Sequence, residues 1–501
     1  MLRKIRIIFA VLAYVLITLL FLDFTGTLHA WLGWLAKIQF LPAVLALNAG
    51  VVLFLVLLTW LFGRVYCSVI CPLGVMQDVI AWFGKRKKKL PYSYSPALTW
   101  LRYGVLAVFV AAMLVGAGSG AALLAPYSSY GRIAHNLLQP LWQWGNNFLA
   151  FLSERAGSYA FYETDVWIKS LPTFLIAVAT LALLAVLAWR NGRTYCNTVC
   201  PVGTVLGVIS RYSLFRVTID EEKCNGCGLC ARHCKAACIQ PKEHRVDYSR
   251  CVVCLDCVGT CKRHALAYGL RKKQVANSAP GVRGGGVSAG QVDEARRGFL
   301  SAATLLTVSS VLQAQEKKMD GGLATIEDKQ IPHRHTPIVP PGALSARHMA
   351  NHCTACQLCV SSCPNGVLRP STAMMKLMQP ELSYERGYCR PECVKCAEVC
   401  PAGAIRPIGV AEKSSIQIGH AVWIKENCVV LTDGVACGNC ARHCPTKAIL
   451  MVASDPENPE SGQIPVVNVE RCIGCGACEN LCPARPFSAI YVEGHENHRV
   501  V

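Results

Sequence analysis

The chain has 501 residues, 29 cysteines, 52% hydrophobic residues and a formal net charge of +19. Its cysteines stand in tight groups of four separated by long cysteine-free stretches, which excludes a small secreted disulfide scaffold and points to metal ligation. The positive charge comes with no stacking platform or recognition helix, so nucleic acid is not the expected partner. Much of it flanks apolar segments instead, as in Arg3, Lys4 and Arg6 and the run Lys85, Arg86, Lys87, Lys88, Lys89.

Four apolar segments occupy residues 5–22, 40–62, 103–124 and 171–189. Each is near the roughly 20 residues that cross a bilayer as a helix. The basic residues before the first, after the second and after the fourth segment set an orientation with the N-terminus in the cytoplasm. The loops 23–39 and 125–170 then face the other side. Residues 1–216 are thus expected to form an α-helical membrane domain of about four transmembrane helices in the lipid bilayer.

A twelve-residue pattern occurs twice in this region. Gly63-Arg64-Val65-Tyr66-Cys67-Ser68-Val69-Ile70-Cys71-Pro72-Leu73-Gly74 matches Gly192-Arg193-Thr194-Tyr195-Cys196-Asn197-Thr198-Val199-Cys200-Pro201-Val202-Gly203. Cysteines four apart share one face of a helix. Each pair, Cys67 with Cys71 and Cys196 with Cys200, therefore suits either reversible dithiol chemistry or half of a shared four-thiolate metal site.

Residues 217–270 hold two sets with the bacterial ferredoxin spacing Cys-x2-Cys-x2-Cys-x3-Cys. They are Cys224, Cys227, Cys230, Cys234 and Cys251, Cys254, Cys257, Cys261. Three close thiolates hold one cubane and the fourth reaches the neighbouring cluster. One cluster is therefore expected on Cys224, Cys227, Cys230 and Cys261, the other on Cys251, Cys254, Cys257 and Cys234. Cys238 is left over, as a buried thiol or a substitute ligand. Lys235 and Lys262 stand where a proline often follows the fourth cysteine.

Residues 271–314 read as a linker containing Pro280-Gly281-Val282-Arg283-Gly284-Gly285-Gly286. It ends in Ala295-Arg296-Arg297-Gly298-Phe299-Leu300-Ser301 and an apolar run of export-signal length. This resembles a twin-arginine signal lying inside the chain.

Residues 315–501 hold four more sets, each ending in Cys-Pro. Cys353, Cys356, Cys359, Cys363 and Cys472, Cys475, Cys478, Cys482 are regular. Cys389, Cys393, Cys396, Cys400 and Cys428, Cys437, Cys440, Cys444 are stretched near the first ligand. Unbroken thiolate runs favour iron–sulfur clusters over zinc, whose sites more often use two separated pairs. Six [4Fe-4S] clusters and two α+β bacterial ferredoxin-like domains are expected. No Cys-x-x-Cys-His occurs, which excludes c-type haem, and no Rossmann glycine fingerprint precedes a helix.

The first 270 residues resemble the NapH/MauN type of membrane ferredoxin, with two Gly-Arg-x-Tyr-Cys-x3-Cys-Pro elements and a two-cluster domain. Residues 295–501 resemble the NapG/MauM type, an exported four-cluster ferredoxin. The resemblance implies a quinol dehydrogenase of the bacterial inner membrane, with quinol as substrate. Electrons would pass from the quinone pool to a periplasmic reductase or cytochrome acceptor. The first ferredoxin domain is then cytoplasmic and the C-terminal one periplasmic. It also implies nested pairing of the last four sets, first with fourth and second with third. Cys482 would complete the cluster of Cys353, Cys356 and Cys359, and Cys363 that of Cys472, Cys475 and Cys478. Cys444 and Cys400 would be exchanged between the stretched sets. His29 and His135, near the outer span ends, are candidates to assist quinol deprotonation or are structural. The competing function is a redox maturation factor for a periplasmic or copper enzyme.

Overall fold

A computed structural model describes residues 2–87, 92–116, 118–271 and 327–500. The described residues up to Arg271 and from Ile331 onward form one compact unit. The twin-arginine-like stretch and the glycine-rich linker lie outside the described residues, as does the end of the Lys85–Lys89 run.

Two helices, Leu2–Leu22 and Leu171–Asn191, are long and apolar enough to cross a membrane. The other two expected spans are interrupted. The second breaks at Leu47, whose φ of 52° ends the helix Phe40–Leu45. Asn48 then caps a new helix, Ala49–Phe62, by accepting from Val51 N at 3.2 Å. The third runs over Thr99–Leu114 and breaks at Gly116, φ 81°, before Gly118–Leu124. At about 1.5 Å per residue the 14- and 16-residue pieces fall short of a hydrocarbon core of about 30 Å.

Each cysteine-rich region is built from short antiparallel ladders. In the first, β1 (Phe215–Ile219) pairs with β4 (Leu266–Leu270), and β2 (Ile239–Gln240) with β3 (Arg245–Val246). In the C-terminal region β5 (Leu368–Pro370) pairs with β6 (Pro380–Leu382). There β7 (Ile416–Trp423) also pairs with β10 (Ile490–Val500), enclosing the hairpin of β8 (Ile449–Asp455) and β9 (Asn458–Val467). The last four strands thus repeat the arrangement of the first four, with an outer pair joining the ends and an inner hairpin between them.

The two cysteine-rich regions dock at opposite ends of the helical part. At the end bearing Arg3, the Arg3 Nε–Asp256 Oδ1 ion pair spans 2.8 Å and Lys235 Nζ bridges Asp256 and Asp78. Leu214 N donates to Trp60 O at 2.9 Å there, and Arg102 Nη1 to Ser249 Oγ at 3.1 Å. At the other end Asn136 Nδ2 donates to Gln357 Oε1 at 2.9 Å, Gln139 Nε2 to Ser361 O at 3.2 Å and Lys169 Nζ to Val360 O at 2.8 Å. The backbone there is in close contact: a Cβ on Gly131 would sit 2.3 Å from Cys356 O, and one on Gly118 2.5 Å from Ala350 O.

Candidate iron–sulfur sites

The cysteine loops share a backbone signature that explains how thiols can surround a cluster. In four sets, the residue two after the first cysteine and the residue one after the second have positive φ. These are Gly226 and Gly228, Val253 and Leu255, Ala355 and Gln357, and Gly474 and Gly476. Left-handed residues alternating with ordinary ones turn successive N–H groups inward, forming a concave cradle for an anion. Glycine adopts this at no steric cost, whereas Val253 and Leu255 hold it against their side-chain preference. After the fourth cysteine the chain turns again, with positive φ at Ala237, His264, Gly366, Gly403 and Lys447. The stretched sets keep this exit turn but lack the entry signature, because their insertions fall at the first ligand.

Five pockets are each lined by four cysteines drawn from two sets, and Cys238 joins the four of one of them. Cys224, Cys227, Cys230 and Cys261 line one, and Cys251, Cys254, Cys257 and Cys234 another. Both match the exchange expected for the first region. In the C-terminal region the pairing differs from the nested one. Cys363 joins Cys389, Cys393 and Cys396, Cys482 joins Cys428, Cys437 and Cys440, and Cys444 joins Cys472, Cys475 and Cys478. Cys400 lies close enough to Cys353, Cys356 and Cys359 to influence all three electrostatically. Neighbouring sets therefore exchange their fourth cysteines, first with second and third with fourth. The last two sets are enclosed by the β7–β10 and β8–β9 ladders, which keeps their fourth cysteines within that strand system.

The residues present fit anionic cubanes. Backbone N–H groups approach the thiols from Ala355 to Cys353 (3.4 Å), Ile405 to Cys400 (3.4 Å), Ala448 to Cys444 (3.2 Å) and Ala489 to Cys482 (3.3 Å). Such hydrogen bonds to sulfur tune cluster potentials. Among the described residues no group of three or more His, Cys, Asp or Glu side chains could hold a metal ion at mononuclear spacing. Cys238 lines the same cavity as Cys234 and Cys251, with its Sγ 3.5 Å from that of Cys234. Hydrogen bonding from Cys238 holds both neighbouring thiols below their ordinary pKa, the expected effect of an S–H donor beside thiolates.

The four remaining cysteines meet in the helical part. Cys67, Cys71 and Cys196 are each 4% exposed and Cys200 is 3% exposed. Burial pushes Cys71, Cys196 and Cys200 up, and the neighbouring thiols add to this across the two repeats. Two buried arginines, which the cysteine motifs alone did not single out, lock the repeats together. Arg64 Nη2 donates to Cys196 O at 3.1 Å, and Arg193 Nη1 to Cys67 O at 2.6 Å. Both occupy the same place in the twelve-residue repeat, which was the available signal. Asp78 holds Arg193 through Nε at 2.8 Å and Nη2 at 2.9 Å.

His29 and His135 lie in the docking contact with the C-terminal region. His29 Nδ1 is 3.1 Å from Asp23 Oδ2 and its Nε2 is 3.2 Å from Ser362 Oγ. His135 pairs with Gln139, and burial together with Lys169 keeps it well below the usual histidine pKa.

The family described as "4Fe-4S binding domain" matches residues 45–91 and 171–219, and a second family of that description matches 217–240. A "4Fe-4S dicluster domain" matches 433–485. The chain carries 4Fe-4S ferredoxin domains. It is similar to ferredoxin-type proteins. The methylamine utilization ferredoxin-type protein MauM of Methylobacillus flagellatus is 30% identical over 29% of this chain and 64% of its own. The ferredoxin-type protein NapG of Escherichia coli is 32% identical over 28% of this chain and 64% of its own. The putative electron transport protein YccM of Escherichia coli is 26% identical over 49% of this chain and 62% of its own. The chain thus spans less than two thirds of the length of each of these relatives. No solved structure matches it.

Proposed function

We propose that the chain spans a bacterial inner membrane and carries electrons from quinol to a periplasmic reductase or cytochrome. Six [4Fe-4S] clusters on the 24 cysteines of the six quartets form the route. The observation that supports this is the docking of two cluster-bearing regions at opposite ends of a helical bundle with an apolar outer surface. Only 28% and 22% of its two long helices is buried, unlike core helices of a soluble fold. Phe9, Phe54, Val108 and Leu183 are 57%, 56%, 65% and 59% exposed, a surface suited to lipid. The NapH/MauN-like and NapG/MauM-like halves would then face the cytoplasm and the periplasm, the second after twin-arginine export.

At the far end Asp23 and His29 form an acid–base pair one hydrogen bond from Ser362, beside Cys363. Quinol oxidation releases two protons with its two electrons; the Asp23–His29 pair would take up one of these protons and bulk water the other. The clusters supply one-electron carriers of graded potential. The maturation reading is less well supported, because Cys67, Cys71, Cys196 and Cys200 are too buried to exchange with a client disulfide.

Stopped-flow mixing of the full chain with a reduced quinol analogue should bleach the visible cluster absorbance, and His29→Gln should slow that bleach about a hundredfold or more, the lower range for loss of an acid–base group. An unbleached spectrum in the parent protein would sink the quinol reading.

A further inference from the structure

Each Cys-x3-Cys-Pro element supplies two thiols, half of what a thiolate-bound cluster requires. The family matches cover the two elements separately. The fold brings them to one place. Arg64 reaches across to the second element and Arg193 reaches back to the first. The glycines that close each repeat pack in the same way, against a carbonyl of their own repeat and the arginine of the other. A Cβ on Gly74 would sit 2.2 Å from Cys67 O and 3.2 Å from Arg193 Nη1. One on Gly203 would sit 2.3 Å from Cys196 O and 2.8 Å from Arg64 Nη2. Both repeats therefore have the same local frame, and the mutual electrostatic influence of Cys67, Cys71, Cys196 and Cys200 places their thiols about one volume.

Donors surround that volume. Gln77 Nε2 lies 3.2 Å from Cys196 Sγ, Gly203 N 3.3 Å from Cys200 Sγ and Arg64 Nη2 3.9 Å from Cys67 Sγ. Arg64 Nε, fully buried, has no hydrogen-bond partner among the described residues. A buried guanidinium with a free donor is costly unless an anion faces it. Four cysteine thiolates are the donor set that holds an iron–sulfur core.

The position links the two ferredoxin regions. On one side Arg193 N donates to Lys235 O at 2.9 Å, Asn197 Nδ2 to Ala236 O at 3.2 Å and Arg64 Nη1 to Ser249 O at 3.1 Å, all beside Cys234 or Cys251. On the other side Tyr66 lies near Cys67, Cys71 and Cys200, and Tyr127 lies near Tyr66, Cys356 and Cys400. We propose that Cys67, Cys71, Cys196 and Cys200 jointly hold one further iron–sulfur cluster, the electrical link between the two regions. It accepts one electron from a reduced cluster of one region, which is thereby oxidised, and returns one to an oxidised cluster of the other. No bond or proton is exchanged. The assignment of direction rests on the proposed function; the existence of the site does not.

The test uses the full chain, purified and reconstituted without oxygen. Six cubanes contain about 24 iron atoms. Iron and sulfide analysis with Mössbauer spectroscopy should find about two or four irons more, their number giving the cluster type. Cys67→Ser, Cys196→Ser and the double variant should each lose that same increment and no more, and lose one reduced-state EPR signal while the others persist. An iron content no higher than six cubanes in the unmutated protein, with the four thiols recovered free or as two disulfides, would overturn the proposal. Absent quinol bleaching with the extra iron present would count against the quinol reading alone.

Discussion

Asp78→Asn is expected to destabilise the fold by about 3–5 kcal/mol, the usual result of removing one partner from a buried ion pair. Asp78 is the shared anion for Arg193, Arg6 (3.2 Å) and Lys235 (3.5 Å), so it joins the first helix, the second Cys-x3-Cys-Pro element and the first ferredoxin region. Arg193 is fully buried and would keep its charge without a counterion. Burial alone would raise the Asp78 pKa, but Arg193, Lys235 and Arg6 hold it well below the carboxylate range. A depressed carboxylate contributes stability above its unfolded value of about 4, and that contribution is lost as pH falls through and below it. Thermal loss of the cluster spectrum should therefore occur at markedly lower temperature in the variant at neutral pH. The gap between variant and parent should narrow as the medium is acidified below about pH 4. A midpoint within the scatter of surface substitutions, about 0.5 kcal/mol, would contradict this.

The pairing of the last four sets predicts a second large effect, read as iron rather than stability. Cys428→Ser/Cys482→Ser should lose about four irons, because both residues line one cavity, whereas Cys353→Ser/Cys482→Ser should lose about eight. Nested exchange demands the reverse. Iron analysis of the two double variants decides between them.

The six quartets and the exchange within the first region were legible because ligand chemistry fixes local spacing; whether the two repeats meet was left open by the sequence. Cys-x2-Cys-x2-Cys-x3-Cys must wrap a cubane whatever surrounds it. The pairing of the C-terminal sets was not legible, since it depends on which strands pair, and β7 with β10 lies nearly 70 residues apart in sequence. The breaks at Leu47 and Gly116 were hidden because apolar composition measures burial in lipid or core, not helix continuity. Leu47 in particular carries no turn signal of its own; Asn48 after it does. Arg64 and Arg193 hold the same place in the repeated twelve-residue pattern, and their fully buried side chains join the two cysteine elements.

The central claim is that two cluster stores lie on opposite faces of one membrane. Epitopes placed in the β2–β3 turn near Glu243 and in the β8–β9 turn near Glu457, followed by antibody labelling of spheroplasts, test it directly. The epitope near Glu457 should be labelled in intact spheroplasts and the one near Glu243 only after permeabilisation. Labelling of both before permeabilisation, or of neither, would contradict the account.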